Sequence, residues 1–243
     1  MTEPDSESGS ESGPESDSVP DSGPGSDAFV ASMANLRSWL LLFGAVAGFV
    51  LFIAVDHSIG AVVLVALLAC QPPSGTSLRW DFWRPGKWWP AIAIYVPFVL
   101  LWVGFATGYL RFAESIGHHL EPQGPLLQFA KGEVPASQFW SMVVLIVVLA
   151  PICEEIVFRG YLFRALQTTM PMWATQLVTA TLFGLVHGPS HALPIGVLSL
   201  LFGYLRQRYG SLWPSMLAHA VHNGITLVLV CSWPGLLDLF YNR

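Results

Sequence analysis

The chain has 243 residues, a mean hydropathy of +0.54 and only 11% charged residues. That balance excludes a soluble globular domain and predicts a multi-span membrane protein. The formal net charge of −5 belongs to one end. Glu3, Asp5, Glu7, Glu11, Glu15, Asp17, Asp21 and Asp27 lie in the first 27 residues, which contain no Lys or Arg, leaving eight acidic against eleven basic residues in the rest. No basic cluster is present, so nucleic acid is not an expected partner.

From Met1 to about Ser32 the chain is Ser, Gly, Pro, Asp and Glu with few apolar residues. Such a segment cannot bury enough surface to offset its ordering entropy and reads as a disordered acidic tail. It also lacks a basic leader before the first apolar run, so it does not read as a signal peptide. Residues 33–243 form the expected membrane domain, with apolar stretches at roughly 38–55, 59–71, 89–110, 138–166, 173–188, 192–205 and 212–232. Since about twenty residues cross a bilayer, the third and seventh are full spans and the second is short enough to be re-entrant or tilted. The fourth exceeds a crossing. The fifth and sixth meet at Gly188-Pro189-Ser190, a tight break. The expected fold is all-α, a polytopic transmembrane bundle of about 6–8 spans, without an internal repeat. Cys70, Cys153 and Cys231 lie in or at the ends of apolar stretches without paired spacing, and read as buried small hydrophobes.

Basic residues of short loops set an orientation. Arg79, Arg84 and Lys87 precede the third span, Arg164 ends the fourth, and Arg206 and Arg208 follow the sixth. With those loops cytoplasmic every alternation works, and the tail is cytoplasmic as well; the expected location is a cell membrane, multi-pass. Trp80, Trp83, Trp88, Trp89, Trp140, Trp173 and Trp213 fall at the predicted boundaries, as in an interfacial aromatic belt. At a rise of about 1.5 Å per residue, Glu154 then lies roughly 18 Å from the cytoplasmic end of its span and His187 roughly 21 Å, with His219 and Asn223 roughly 10 and 16 Å in. Charge counting places all four at overlapping depths.

Those four residues are where hydropathy and cost conflict. A single Asp at a helix centre costs about +2.5 to +3.5 kcal/mol on insertion scales, and Glu154 and Glu155 are adjacent. Neighbouring residues differ by about 100° around a helix, so the two carboxylates meet different surroundings. Glu155 and Arg159 stand one turn apart and can pair as a structural brace, leaving Glu154 for chemistry. Amide hydrolysis needs a base for the water's proton, a holder for that water, and donors facing the developing oxyanion. His187 can hold the water; His219 and Asn223, one turn apart, can offer two donors. Each has a plainer reading as well. A lone His187 can be a hydrogen-bonded core histidine, Asn223 interhelical glue, and Phe183 simple packing beneath the site. His222 is off the motif, His191 faces the interface, and His57, His118 and His119 are loop histidines. Glu154, His187 and His219 are also a plausible zinc set, yet no His-Glu-x-x-His helix is present. A divalent metal such as zinc and a metal-free glutamate mechanism are equally compatible with these residues.

The run Glu154-Glu155-Ile156-Val157-Phe158-Arg159 with Gly160-Tyr161-Leu162, then Phe183-x-x-x-His187, then His219-x-x-x-Asn223, resembles the CaaX prenyl endopeptidase and bacteriocin-processing family of intramembrane proteases. The resemblance covers about residues 135–232. It implies an intramembrane endopeptidase, in which Glu154 and His187 activate water while His219 and Asn223 stabilise the oxyanion. It also implies a membrane-bound or lipidated protein or peptide as substrate and the lipid bilayer as surroundings. Two other classes use the same residues differently: a catalytically silent immunity or scaffold protein of the same fold, and a proton-coupled transporter, whose paired halves have no counterpart here.

Overall fold

The structure, a computed structural model of the chain, describes residues 24–54 and 89–241. The short apolar stretch 59–71, the basic residues Arg79, Arg84 and Lys87, and Cys70, His57, Trp80, Trp83 and Trp88 lie outside the described residues. The chain divides into two units, Met1–Ala34 and Asn35–Arg243. In the first, the described backbone from Pro24 onward is helical. This is the start of α1 (Pro24–Ala54), which begins inside the segment the sequence assigns to the acidic tail. Proline suits a first helical position, its φ preset and its missing N–H not needed there, and Ala28 to Met33 is richer in apolar residues than what precedes it. The second unit carries the rest.

Its helices are α2 (Trp89–Ser115), α3 (Gly124–Ala130), α4 (Ala136–Gln167), α5 (Met172–Val186), α6 (Ala192–Tyr209), α7 (Trp213–Ser232) and α8 (Leu236–Tyr241). Among the described residues there is no strand. The helices α2, α4 and α7 are long and apolar enough to cross a membrane, and Leu36–Leu51 and α5 are shorter apolar helices. α2 accommodates Pro97 in its interior, as membrane helices do where neighbours re-satisfy the freed carbonyl. Large apolar side chains such as Phe43, Leu101, Trp140 and Trp173 stand on the outer surface. In a soluble protein that would be a liability; here it is the face hydrocarbon solvates.

The interior is built in three patches. Leu42 and Ala45 of α1 pack with Cys153, Ile156, Val157 and Phe158 of α4, Phe183 of α5 and Met216 of α7. Ala91 and Tyr95 of α2 pack with Leu198, Leu201, Phe202 and Leu205 of α6 and Ala218 of α7. Phe129 of α3, Leu227 and Val230 of α7 and Leu237 of α8 close a third. The first two patches flank the polar residues. Cys153 is buried, as expected; Cys231 is exposed on α7, and both are free thiols. Cys231 departs from the expected burial because its position on α7 faces outward, where an apolar thiol is equally at ease.

α5 and α6 approach most closely. A Cβ at Gly184 would collide with Ala192 O, and one at Gly196 would press on Ala180 O at 3.3 Å. Small residues let membrane helices touch backbone to backbone, and Ala180, Gly184, Ala192 and Gly196 supply that contact. The turn between the two helices is Gly188 at φ +98°, a conformation that favours glycine, followed by a 3₁₀ turn over Pro189–His191. α6 ends on Gly210 at φ +60°, whose N–H bonds Arg206 O, a left-handed helix stop.

α4 is one long helix, with two stretches of π geometry, Leu145–Leu149 and Ile156–Leu162. The intervening α-helical turn, Ala150–Glu155, carries both glutamates. Short π segments in helices often mark functional sites.

Candidate active site

Glu155 and Arg159 face inward from α4 and are fully buried. Arg159 Nη1 donates to Glu155 Oε1 at 2.9 Å. Its Nη2 donates to Ser199 O at 3.1 Å and to Ser199 Oγ, and the guanidinium lies 4.4 Å from the Phe183 ring centre and 5.4 Å from that of Phe202. A buried charge is tolerable when paired and hydrogen-bonded, and this one has a carboxylate, a hydroxyl, a carbonyl and two aromatic faces. The expected brace is present. Its third member, Ser199 on α6, is a residue that sequence reasoning missed; one serine in an apolar helix carries no signal until the fold sets it against an arginine.

Glu155 Oε1 has a second partner. His219 Nδ1, on α7, lies 3.1 Å from it. A carboxylate oxygen only accepts, so Nδ1 carries the hydrogen, and in the neutral imidazole Nε2 is left with a lone pair. The His219 ring stacks on Phe202 at 4.6 Å and meets the edge of Phe183 at 5.7 Å. Ring position and tautomer are thus both set. His187, at the end of α5, is fixed the same way: Nδ1 donates to Phe183 O at 2.7 Å, and its ring lies 4.7 Å from that of Phe183. Its Nε2 is likewise the lone-pair nitrogen.

Both Nε2 atoms converge on one oxygen. Glu154 Oε2 lies 3.7 Å from His187 Nε2 and 3.7 Å from His219 Nε2. It is buried, with no hydrogen-bond partner among the described residues, whereas the Glu154 side chain as a whole keeps 15% of its surface exposed. Three helices therefore deliver Glu154, His187 and His219 to one point, with Glu155, Arg159 and Phe183 behind them. Asn223 stands apart. Its Nδ2 donates to Ile146 O at 2.9 Å, on α4 eight residues before Glu154. His219, with Nδ1 committed to Glu155, donates from Nε2 only when protonated.

The other histidines separate cleanly. His222 bonds Tyr95 OH at 3.2 Å through Nδ1 and sits 4.9 Å from the Trp102 ring, a packing role between α7 and α2. His191 Nε2 meets Tyr241 OH at 3.2 Å at the turn after α5; burial, then the neighbouring His187, holds its imidazole below the ordinary histidine range. Tyr241, on α8, is pushed up to about 12 by burial. His118 and His119 lie in the connection after α2.

For a tetrahedral metal, ligand atoms 2.0–2.1 Å from the ion would stand ~3.3 Å from each other. The two Glu154–imidazole separations of 3.7 Å are wider, and no group of three or more His, Cys, Asp and Glu side chains among the described residues is arranged to hold a metal ion. As placed, these residues do not form a metal site.

Among the described residues, helices long and apolar enough to cross a membrane enclose a Glu–His–His cluster, backed by a second glutamate and an arginine. Residues 136–225 match the family model described as type II CAAX prenyl endopeptidase Rce1-like. The chain is also 28% identical over 89 residues to a protein of Bacillus subtilis (strain 168) named "Putative membrane peptidase YdiL", a match covering 36% of this chain and 36% of that one. The chain thus spans about a third of the length of the curated relative it matches. No solved structure matches it. Over residues 136–225 these matches support the family that the motifs resemble, the CaaX prenyl endopeptidase and bacteriocin-processing family.

Proposed function

We propose that the protein is an intramembrane endopeptidase, hydrolysing peptide bonds of membrane-associated substrates with water activated by Glu154 and His187. The observation that carries this reading is the convergence of two lone-pair imidazole nitrogens on one unpartnered carboxylate oxygen, each at 3.7 Å. That spacing is too long for a direct hydrogen bond, and one water oxygen can reach both groups at about 2.8 Å. Such a water donates one hydrogen to Glu154 and one to His187, which leaves an oxygen lone pair for the scissile carbonyl. As the C–O bond forms, Glu154 takes the water's proton. It returns that proton to the leaving amine as the C–N bond breaks. His219 helps bear the oxyanion in this scheme when its Nε2 carries a hydrogen. The resemblance implies Asn223 as a second donor, a role for which only the amide hydrogen not engaged by Ile146 O remains. The role of the brace is to hold Glu155, and through it His219, in place.

The substrate is a membrane-bound or lipidated protein or peptide, and the bilayer supplies the approach. The tail and the loops near 79–87, 165–171 and 206–211 face the cytoplasm in this scheme, and the site opens to that side.

The test is isotopic. Purified protein in lipid nanodiscs is given membrane-anchored peptides in water enriched in ¹⁸O. One ¹⁸O atom is expected in each new C-terminal carboxylate, with Glu154→Gln slower by about 10²- to 10⁴-fold. A Glu154→Gln variant that retains half the turnover would remove Glu154 from the mechanism.

A further inference from the structure

Where α4 runs in π geometry, the Ala150 N–H reaches back five residues to Leu145 O. In an ordinary α-turn the same N–H would serve Ile146 O. In the π register Ile146 O would fall to the N–H of residue 151, and residue 151 is a buried proline, which has none. Ile146 O therefore loses both backbone donors within reach, inside a helix that crosses the membrane, where water does not replace them. Asn223 Nδ2 supplies the bond from α7 at 2.9 Å.

We infer that Pro151 and Asn223 form an interhelical lock that keeps α4 in its π turn and so positions Glu154 beside His187 and His219. Glu154 follows Pro151 by three residues. A π turn and an α turn differ by one residue of register, about 100° around the helix, which is the angle separating the facing directions of Glu154 and Glu155. Loss of the lock turns the glutamates away from the partners they now have. Asn223 acts through Ile146 and is a positioning residue, a role that accounts for the bond it makes.

The experiment is a double-mutant cycle in nanodiscs on wild-type protein, Asn223→Leu, Pro151→Ala and the double variant, read by thermal unfolding and by kcat and KM. Pro151→Ala restores an N–H that can serve Ile146 O, so Asn223 becomes redundant. Asn223→Leu is expected to lower Tm by about 2–4 °C in the wild-type background and to leave it nearly unchanged in the Pro151→Ala background. It is expected to lower kcat about tenfold to a hundredfold with KM unchanged, and to add no further loss once Pro151 is replaced. An equal Tm cost in both backgrounds overturns the lock. A Tm cost that disappears while the kcat cost persists overturns the positioning role and leaves Asn223 acting on the oxyanion. If Asn223→Leu alone is too unstable to purify, recovery on adding Pro151→Ala supports the lock and failure to recover overturns it. The inference rests on the proposed hydrolysis only in its kcat arm. A wild-type protein that hydrolyses nothing would sink that proposal, while the Tm arm still decides the lock.

Discussion

At the scale of the residue, two neighbouring glutamates have been given different partners by their different directions from one helix. Glu155 shares a single oxygen between Arg159 and His219; Glu154 keeps Oε2 within 3.7 Å of two imidazoles and bonded to neither. Arg159→Ala strands the Glu155 carboxylate in a buried site, which costs about 3–5 kcal/mol in comparable pairs. The expected result is a lower yield and a lower melting temperature together with lost turnover, seen in detergent extracts by thermal unfolding. Glu155→Gln keeps an oxygen that accepts from both Arg159 and His219, so its turnover should fall less than that of Glu154→Gln. If the two glutamine variants exchange their effects, the base is Glu155 and the brace has been misread. The division between the glutamates was legible in the sequence, because Arg159 stands one turn from Glu155 and not from Glu154. Ser199 and the stacking of Phe202 on His219 were not, since they depend on how α6 is docked.

The helices themselves supply the precision that the side chains need. α5 and α6 carry His187 and Ser199, and their distance is set by backbone contact at Gly184. Gly184→Ala drives a methyl into Ala192 O and must part the helices; overpacking of this kind costs about 1–3 kcal/mol. Gly108→Ala in α2 meets nothing within 4 Å and should be within about 0.5 kcal/mol of wild type. Equal melting temperatures for the two variants would show that α5 and α6 do not need their close contact. Hydropathy located α2, α4 and α7 within a few residues, and Gly188-Pro189-Ser190 marked the α5–α6 break, because apolar length and turn residues are local properties. The π stretches of α4 were invisible. Pro151 alone reads as a helix irregularity, and only Asn223 reaching across from α7 shows where the freed carbonyl is satisfied.

For the whole molecule, composition separates a highly charged end from an apolar body, and the body is organised around one polar point. The proposed orientation follows from the Lys/Arg bias of short loops together with the shared depth of Glu154, His187, His219 and Asn223. Single cysteines at Ser77, Thr168 and Gln207, in a background lacking the three native ones, should react with impermeant thiol reagents only after cells are opened. A cysteine at Gln123 should react in intact cells. Labelling at Gln207 without opening the cells would reverse the orientation and the side from which substrates are presented.

The claim that organises all three scales is that this buried cluster cuts proteins in the membrane. Its most direct test compares the termini of membrane proteins in cells expressing wild-type protein and Glu154→Gln at equal, correctly inserted levels. The account predicts a defined set of membrane-anchored proteins with new termini in the wild-type cells only, restored to full length by the substitution. Identical termini in both, with wild-type protein also unable to incorporate ¹⁸O into any anchored peptide, would contradict it.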